Sequence, residues 1–320
     1  MKPKVSVIVP VYNASRTLTA CLGNLVHQTL PEIEIILVDD ASTDDSLAFL
    51  TACEREFSDK IILIPLQENL GPGGARNVGL AYASGEYIGF VDSDDLADPG
   101  MYESLYHLAV SGNYDMVDCT YYCEESDSLI LTTGDSCTGD LDSHKRSHLI
   151  SGGGYLWSRL FRRELFDGLV FREHTILEDM EMLMQLFMRT KRLGTTRDVL
   201  YKYCATPSSA SKPSNPVRYH KAIVGAMDAV YSTMSAFPEY PEIQTAVEYS
   251  LLHLYQCGVV NALQPDSVLS EPEQENFLDI LYVLKQSMIQ LPYSENPYVQ
   301  DKISKEDLML IQTLDKKKNR

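Results

Sequence analysis

Two short runs near the start of the chain, KVSVIVPVY (4–12) and IEIILVDD (33–40), are β-branched and apolar at consecutive rather than alternating positions. They are too short and too continuous for amphipathic helices, which predicts strands covered on both faces. Between them, SRTLTACLGNLVHQ (15–28) brings Leu18, Cys21, Leu22, Leu25 and Val26 onto one helical stripe behind a serine cap, which predicts a βαβ unit. The alternation continues with a helix over 43–57, a strand over 60–66, a helix over 73–84 and a strand over 86–92. Strands and helices alternating at this spacing predict an α/β fold with a doubly wound, mostly parallel sheet and helices on both faces. Such a sheet binds ligands beyond the carboxyl ends of its strands. Tyr12, Asp39, Asp40 and Asp92 fall at those ends, so separate strands deliver them to one rim.

Past residue 113 the alternation breaks down. Segments 114–125 and 128–135 predict a hairpin with an acidic turn, SHKRSHLI a helix, and YLWSRLFRREL a strand entering a helix. LEDMEMLMQLFMRT (177–190) is an amphipathic helix with an acidic first turn, and RDVLYKYC is a strand. The Ser/Pro-rich ATPSSASKPSNP (205–216) reads as a linker or as a mobile lid. From about 217 on the pattern is helical only, over 217–235, 241–263, 271–290 and 304–314. The expected organisation is therefore an α/β domain over 1–214 and an all-helical C-terminal extension over 215–320.

Composition narrows the functional classes. A chain of 320 residues with 44% hydrophobic positions can bury a real core. A formal charge of −18 without a basic stripe excludes nucleic acid as a partner. Seven cysteines without CxxC spacing suggest neither a disulfide framework nor a four-ligand zinc site, and reduced, cytosolic thiols are the simplest reading. The opening MKPKVSVIVPVYNA is interrupted by Pro10 and lacks a good cleavage site, so a first strand is expected there rather than a signal peptide. No apolar run approaches the roughly 18 residues of a membrane span, which limits membrane contact to the periphery. The tail DKKKNR is a solvated end, or a basic tip that touches anionic lipid.

Three stretches carry chemistry. GFVDSDDLADPG (89–100) places Asp92, Asp94 and Asp95 together, with Asp98 just beyond. Like charges this close raise one another's pKa unless a cation sits among them, so the stretch is a site for a hard divalent metal or a solvated turn. NLGPGGARNVG fails the dinucleotide fingerprint because Arg76 stands where the third glycine belongs. An arginine at the start of a helix suits a diphosphate, or simply faces solvent. Glu178 and Asp179 are first-turn acids of a helix. His144 and His148 lack the glutamate of a zinc-hydrolase helix, and the lone Trp157 is either a core anchor or a stacking surface for a sugar.

VSVIVPVYN, ILVDDASTDDS, NLGPGGARNVGLAYASGEYIGFVDSDD and LED, in this order over about the first 210 residues, resemble the family-2 glycosyltransferases of GT-A fold. The resemblance implies that Tyr12 and Asp39 hold a nucleotide base, with Pro10, Asn13 and Asp40 in the same donor-binding set. It implies that Arg76 meets the diphosphate and that Asp92, Ser93 and Asp94 bind ribose and a divalent metal, with Asp94 and Asp92 as the ligands. It also implies that Asp179 is the catalytic base, with Glu178 beside it. The implied cofactor is Mn²⁺ or Mg²⁺, the donor a nucleoside-diphosphate sugar such as a UDP-sugar, and the acceptor a glycan or lipid-linked glycan. Asp179, at a helix N-terminus that favours the ionised form, would take the acceptor's proton, and one displacement with one base inverts the sugar carbon.

Departures refine the picture. DDASTD carries Ala41 where the family commonly has glycine, and the QxxRW signature of processive synthases is absent. After the last strand only Lys202 and Lys212 could meet the diphosphate. The expectation is a metal-dependent, inverting, non-processive transferase of bacterial cell-surface polysaccharide or glycan assembly. Its expected place is the cytoplasm, in reach of the inner face of the membrane, with an oligomer allowed. Trp157 is the candidate acceptor contact. Two rivals stay open: a nucleotide-sugar-binding subunit without catalysis, and a sugar nucleotidyltransferase.

Overall fold

The structure, a computed structural model, describes residues 2–205, 216–264 and 269–318. The first apolar run is β1 (Val5–Val11), buried at every position but Pro10. Helix α1 (Leu18–Val26) starts later than its pattern predicts. Thr17 does not cap it through its side chain, and its hydroxyl faces the Ala14 (3.1 Å) and Ser93 (2.9 Å) carbonyls, to which it can donate. The alternation then runs through β2 (Ile33–Asp39), α2 (Ser46–Glu56), β3 (Ile61–Pro65), α3 (Gly71–Tyr82) and β4 (Tyr87–Phe90). After it come the short β5 (Leu96–Ala97), α4 (Met101–Gly112), the hairpin β6 (Met116–Cys123) and β7 (Ser128–Leu131), and β8 (Gly139–Asp140). Helix α5 (Ser143–Gly152), β9 (Arg159–Arg162), α6 (Glu178–Arg189) and β10 (Arg192–Tyr203) follow. The helix expected behind β9 is only a single 3-10 turn, Arg163–Phe166.

Among the described residues the strands form one sheet in the order β3-β2-β1-β4-β9-β6-β10-β5, with β7 on β6 and β8 on β10. The chain steps outward from β1 to β3 and returns on the other side of β1 at β4, so the strand order reverses between β1 and β4. Ligands of doubly wound sheets bind outside such a reversal. The two strands also part there: β1 pairs with β2 as far as Val11↔Asp39 but with β4 only as far as Ile8↔Phe90. Pro10, which has no N–H to donate, is tolerated because its β4 side has no partner strand at that level.

The sheet is parallel from β3 to β4 and mixed beyond it. Strand β9 is antiparallel to both β4 and β6, while β10 runs parallel to β6. That reversal brings the segment before β9 and the ends of β6 and β10 to the same rim as the ends of β1, β2 and β4.

The chain divides into two compact units, Met1–Leu141 with Gly154–Ser209 and Asp142–Gly153 with Ala210–Arg320. The first holds the sheet. The second holds α5 with α7 (Pro216–Ser235), α8 (Tyr240–Ala262), α9 (Glu271–Met288), α10 (Pro297–Lys302) and α11 (Lys305–Lys318). Helix α5, which interrupts the α/β part of the sequence, is tied into the second unit. Ser250 Oγ donates to the Ile150 carbonyl (3.0 Å) and Lys302 Nζ to the Ser151 carbonyl (2.8 Å). The six-residue α10 was not anticipated, since so short a helix shows no periodicity. The cysteines are free thiols, and no described helix is long and apolar enough to cross a membrane.

Candidate active site

Three strand ends meet where β1 and β4 part. Tyr12, just past β1, is 51% exposed and offers an open ring. Asp39 ends β2 and is buried, with Oδ2 accepting the Ser42 N–H (3.2 Å). Its Oδ1 is buried without a partner, a costly arrangement unless a ligand supplies the donor. Asp40 also ties the neighbouring turn: its Oδ1 accepts the Leu70 N–H (2.7 Å) and its carbonyl the Asn69 amide (3.1 Å). Asn13, also expected at the donor, directs Oδ1 to the N–H groups of Thr43 (2.8 Å) and Asp44 (3.3 Å). Ala41 has φ 56°, in the left-handed region, which glycine would hold without strain. The turn closes around it nonetheless, through Asp39 and Asn13.

Arg76 is the centre of the second cluster. A Cβ on Gly73 would stand 2.2 Å from the Arg172 carbonyl, so only glycine lets the segment before α6 lie this close to α3. The approach brings the first turn of α6 onto the Arg76 guanidinium. Nη1 donates to Glu178 Oε1 (2.5 Å) and Nη2 to Asp92 Oδ1 (3.0 Å), which joins the glycine-rich, DSD and ED stretches. Burial works against the arginine's charge, but Asp92, Glu178 and Asp179 outweigh it and raise its pKa. Burial also pushes the Glu178 carboxyl up to about 7 against the pull of Arg76. Asp179, whose Oδ1 accepts the Met180 N–H (2.8 Å), is raised by burial as well, opposed by Arg76. Its environment thus makes it more basic than a helix dipole alone would, which suits a proton acceptor.

The carboxylates of the DSD stretch divide their work. Asp95 is buried, accepting the Cys204 N–H (2.8 Å) and the Tyr201 hydroxyl (2.9 Å), and ties the turn to β10. Burial pushes its carboxyl up to about 8, with Asp92 and Asp94 adding to the rise. Asp92 and Asp94 remain half-buried at the rim, with Ser93 between them. Among the described residues no three His, Cys, Asp or Glu side chains converge as a ready metal cage. Two neighbouring carboxylates supply hard oxygen donors, and a divalent cation there would complete its shell with ligand oxygens or water. The residues fit Mn²⁺ or Mg²⁺ shared with a phosphorylated ligand, not a self-contained metal centre.

Other expectations fare differently. Trp157 is 3% exposed, with Tyr155 and Tyr201 stacked on it, so it has no face for a sugar and is corrected to a core residue. Lys202 pairs with Glu124 (2.7 Å) rather than reaching the cluster. Lys212 lies outside the described residues. The sequence reading missed the Asp95–Tyr201 link, for which the alternating tyrosines of YKYC were the available signal.

Residues 6–168 match the family model described as glycosyl transferase family 2. The uncharacterized glycosyltransferase EpsJ of Bacillus subtilis is 28% identical over 97% of this chain and 92% of its own length. Among solved structures, S. aureus TarS 1–349 in complex with UDP-GlcNAc superposes with a TM-score of 0.75 at 21% identity, covering 99% of this chain and 91% of that one. The mannosyltransferase PcManGT of Pyrobaculum calidifontis, in complex with GDP-Man and Mn²⁺, gives 0.59 at 17% identity, over 98% and 87% of the two chains.

Proposed function

We propose, for a chain that belongs to glycosyl transferase family 2 and is a glycosyltransferase, that its donor is a nucleoside-diphosphate sugar, in the first place a UDP-sugar. Transfer is to an acceptor hydroxyl, with inversion, in the assembly of a cell-surface polysaccharide or glycan at the cytoplasmic face of the membrane. The observation that carries this reading is the Arg76 bridge between Glu178 and Asp92, because it joins the first turn of α6, which carries the proposed base, to the acidic turn proposed to face the diphosphate.

In this reading Asp39 Oδ1 accepts an N–H of the base and Tyr12 covers the ring of the base. Arg76 holds Glu178 and Asp92 in place and lends positive charge to the diphosphate end. Mn²⁺ or Mg²⁺ between Asp92 and Asp94 would neutralise the leaving diphosphate. Asp179 removes the acceptor's proton as the new bond forms, and a single in-line displacement inverts the anomeric carbon. The neighbours in complex with UDP-GlcNAc and with GDP-Man and Mn²⁺ lend support to a sugar nucleotide and a divalent metal.

The test is nucleotide release from UDP-glucose, UDP-galactose, UDP-GlcNAc and GDP-mannose with Mn²⁺ or Mg²⁺, in wild type and Asp179→Asn. One donor should be turned over in a metal-dependent way, and the variant should lose about 10² to 10⁴ in rate with its UDP affinity nearly unchanged. A UDP affinity that falls in step with the rate would place Asp179 in the donor site and overturn its role as base.

A further inference from the structure

On the far side of β4 from the nucleotide turn, the rim is built from aromatic rings. Tyr121 on β6, Trp157 before β9, and Tyr201 and Tyr203 on β10 come together because these strands pair in register there. Trp157 stacks on Tyr201 (centroids 4.4 Å apart, planes 13° from parallel) and on Tyr155 (4.7 Å, 11°), with Tyr121 edge-on at 4.7 Å. Tyr155 is the outer ring of this stack and remains 44% exposed.

Its backbone is anchored from below. The fully buried Arg159 donates Nη1 to the Tyr155 carbonyl (2.5 Å) and faces the equally buried Asp118 (3.9 Å). At the preceding Gly154, with φ 120°, a Cβ would stand 2.8 Å from that guanidinium. The ring is therefore a preorganised flat surface rather than a side chain that must be ordered when a ligand arrives. Burial chiefly raises the Tyr155 phenol, and the charges of Asp179 and Glu125 are felt there as well.

We propose that the exposed face of Tyr155 is the stacking platform of an acceptor subsite, selecting an acceptor that ends in a neutral pyranose rather than in a polyol phosphate. This rests on the glycosyl-transfer reading above. A pyranose chair presents one face of C–H groups to an aromatic ring while its hydroxyls stay at the wet edge. A polyol phosphate has no such face to lay on the ring, so stacking offers it nothing. The sheet order separates this platform from the nucleotide turn, because β9, β6 and β10 lie across β4 from β1 and β2. A donor held at the ends of β1, β2 and β4 thus leaves Tyr155 for the acceptor.

The test is saturation-transfer NMR on the full chain with UDP and the diamagnetic Mg²⁺. The probes are the methyl β-pyranosides of glucose, galactose and N-acetylglucosamine, against ribitol 5-phosphate and glycerol 1-phosphate, in wild type, Tyr155→Phe and Tyr155→Leu. At least one pyranoside should receive saturation on its ring C–H groups in wild type and in the Phe variant, and bind about tenfold more weakly to the Leu variant. The UDP Kd should move less than twofold. Equal pyranoside affinity for the Leu variant, loss of binding in the Phe variant, or polyol phosphates binding better than every pyranoside would each overturn the proposal. Failure of the wild-type chain to bind UDP would instead overturn the donor reading, and is told apart because UDP is titrated separately.

Discussion

Replacing Arg76 with methionine keeps most of the side chain's bulk but removes the guanidinium that stands between two carboxylates. Breaking a buried ion pair by deleting one partner costs about 3–5 kcal/mol, because the other charge is left without compensation. Here the two partners differ. The Asp92 side chain is 31% exposed and can turn to water, whereas that of Glu178 is 4% exposed and cannot. The loss therefore comes mostly from Glu178, as about 2 kcal/mol of charge-assisted hydrogen bonding plus about 1 kcal/mol for the proton it takes up at pH 7.5 once Arg76 is gone, about 3 kcal/mol together. For a unit of this size that lowers the melting temperature by roughly 6–12 °C. The sign of the pH dependence follows from Glu178, whose folded carboxyl is already raised from 4.5 to about 7. Without Arg76 it rises further. A carboxyl that is raised on folding binds its proton more tightly in the folded state, so stability falls as pH climbs from about 4.5 through the folded value. The variant should accordingly lie closer to wild type at pH 5.5 than at pH 7.5. Urea unfolding followed by the fluorescence of Trp157, the chain's single tryptophan, reports on the unit that contains the pair. Adding Glu178→Gln to Arg76→Met should restore part of the loss, giving a coupling of about 2 kcal/mol in the double-mutant cycle. A loss below about 1 kcal/mol that is the same at both pH values would refute the reasoning.

Gly73→Ala should destabilise this unit by about 1–3 kcal/mol and weaken transfer, since a methyl group 2.2 Å from the Arg172 carbonyl must push α6 away from α3; a wild-type urea midpoint with full activity would contradict it. Asp94→Asn should remove the dependence of UDP affinity on Mn²⁺ while leaving the urea midpoint in place, because the amide keeps an oxygen but loses the charge. Calorimetric titration of UDP with and without the metal checks this, and an unchanged metal dependence would remove Asp94 from the ligand set.

Several features of this protein were legible in its sequence because they are local. Short, mostly apolar and β-branched runs within 4–12 and 33–40 read as strands covered on both faces, and the stripe from Leu18 to Val26 packs across them. Carboxylates placed directly after such strands must come to the rim, so Asp39 and Asp92 could be assigned there from position alone. Tertiary structure decided what those groups do once they arrive. One side-chain oxygen each of Asp40 and Asn13 accepts nearby backbone N–H groups, a pairing set by how the turns fold. Asp95 sits next to Asp94 in sequence yet turns inward to Tyr201 and Cys204. Trp157 could have faced a sugar, and only the pairing of β6, β9 and β10 determines that Tyr201 and Tyr155 stack on it while Tyr155 keeps an open ring. The Arg76 bridge joins residues far apart in the chain, and it needs Gly73 to let two backbones approach. Local pattern dictates which elements form and which residues reach the rim. The partners of those residues come from strand register and close backbone approach, which depend on segments that no local window contains.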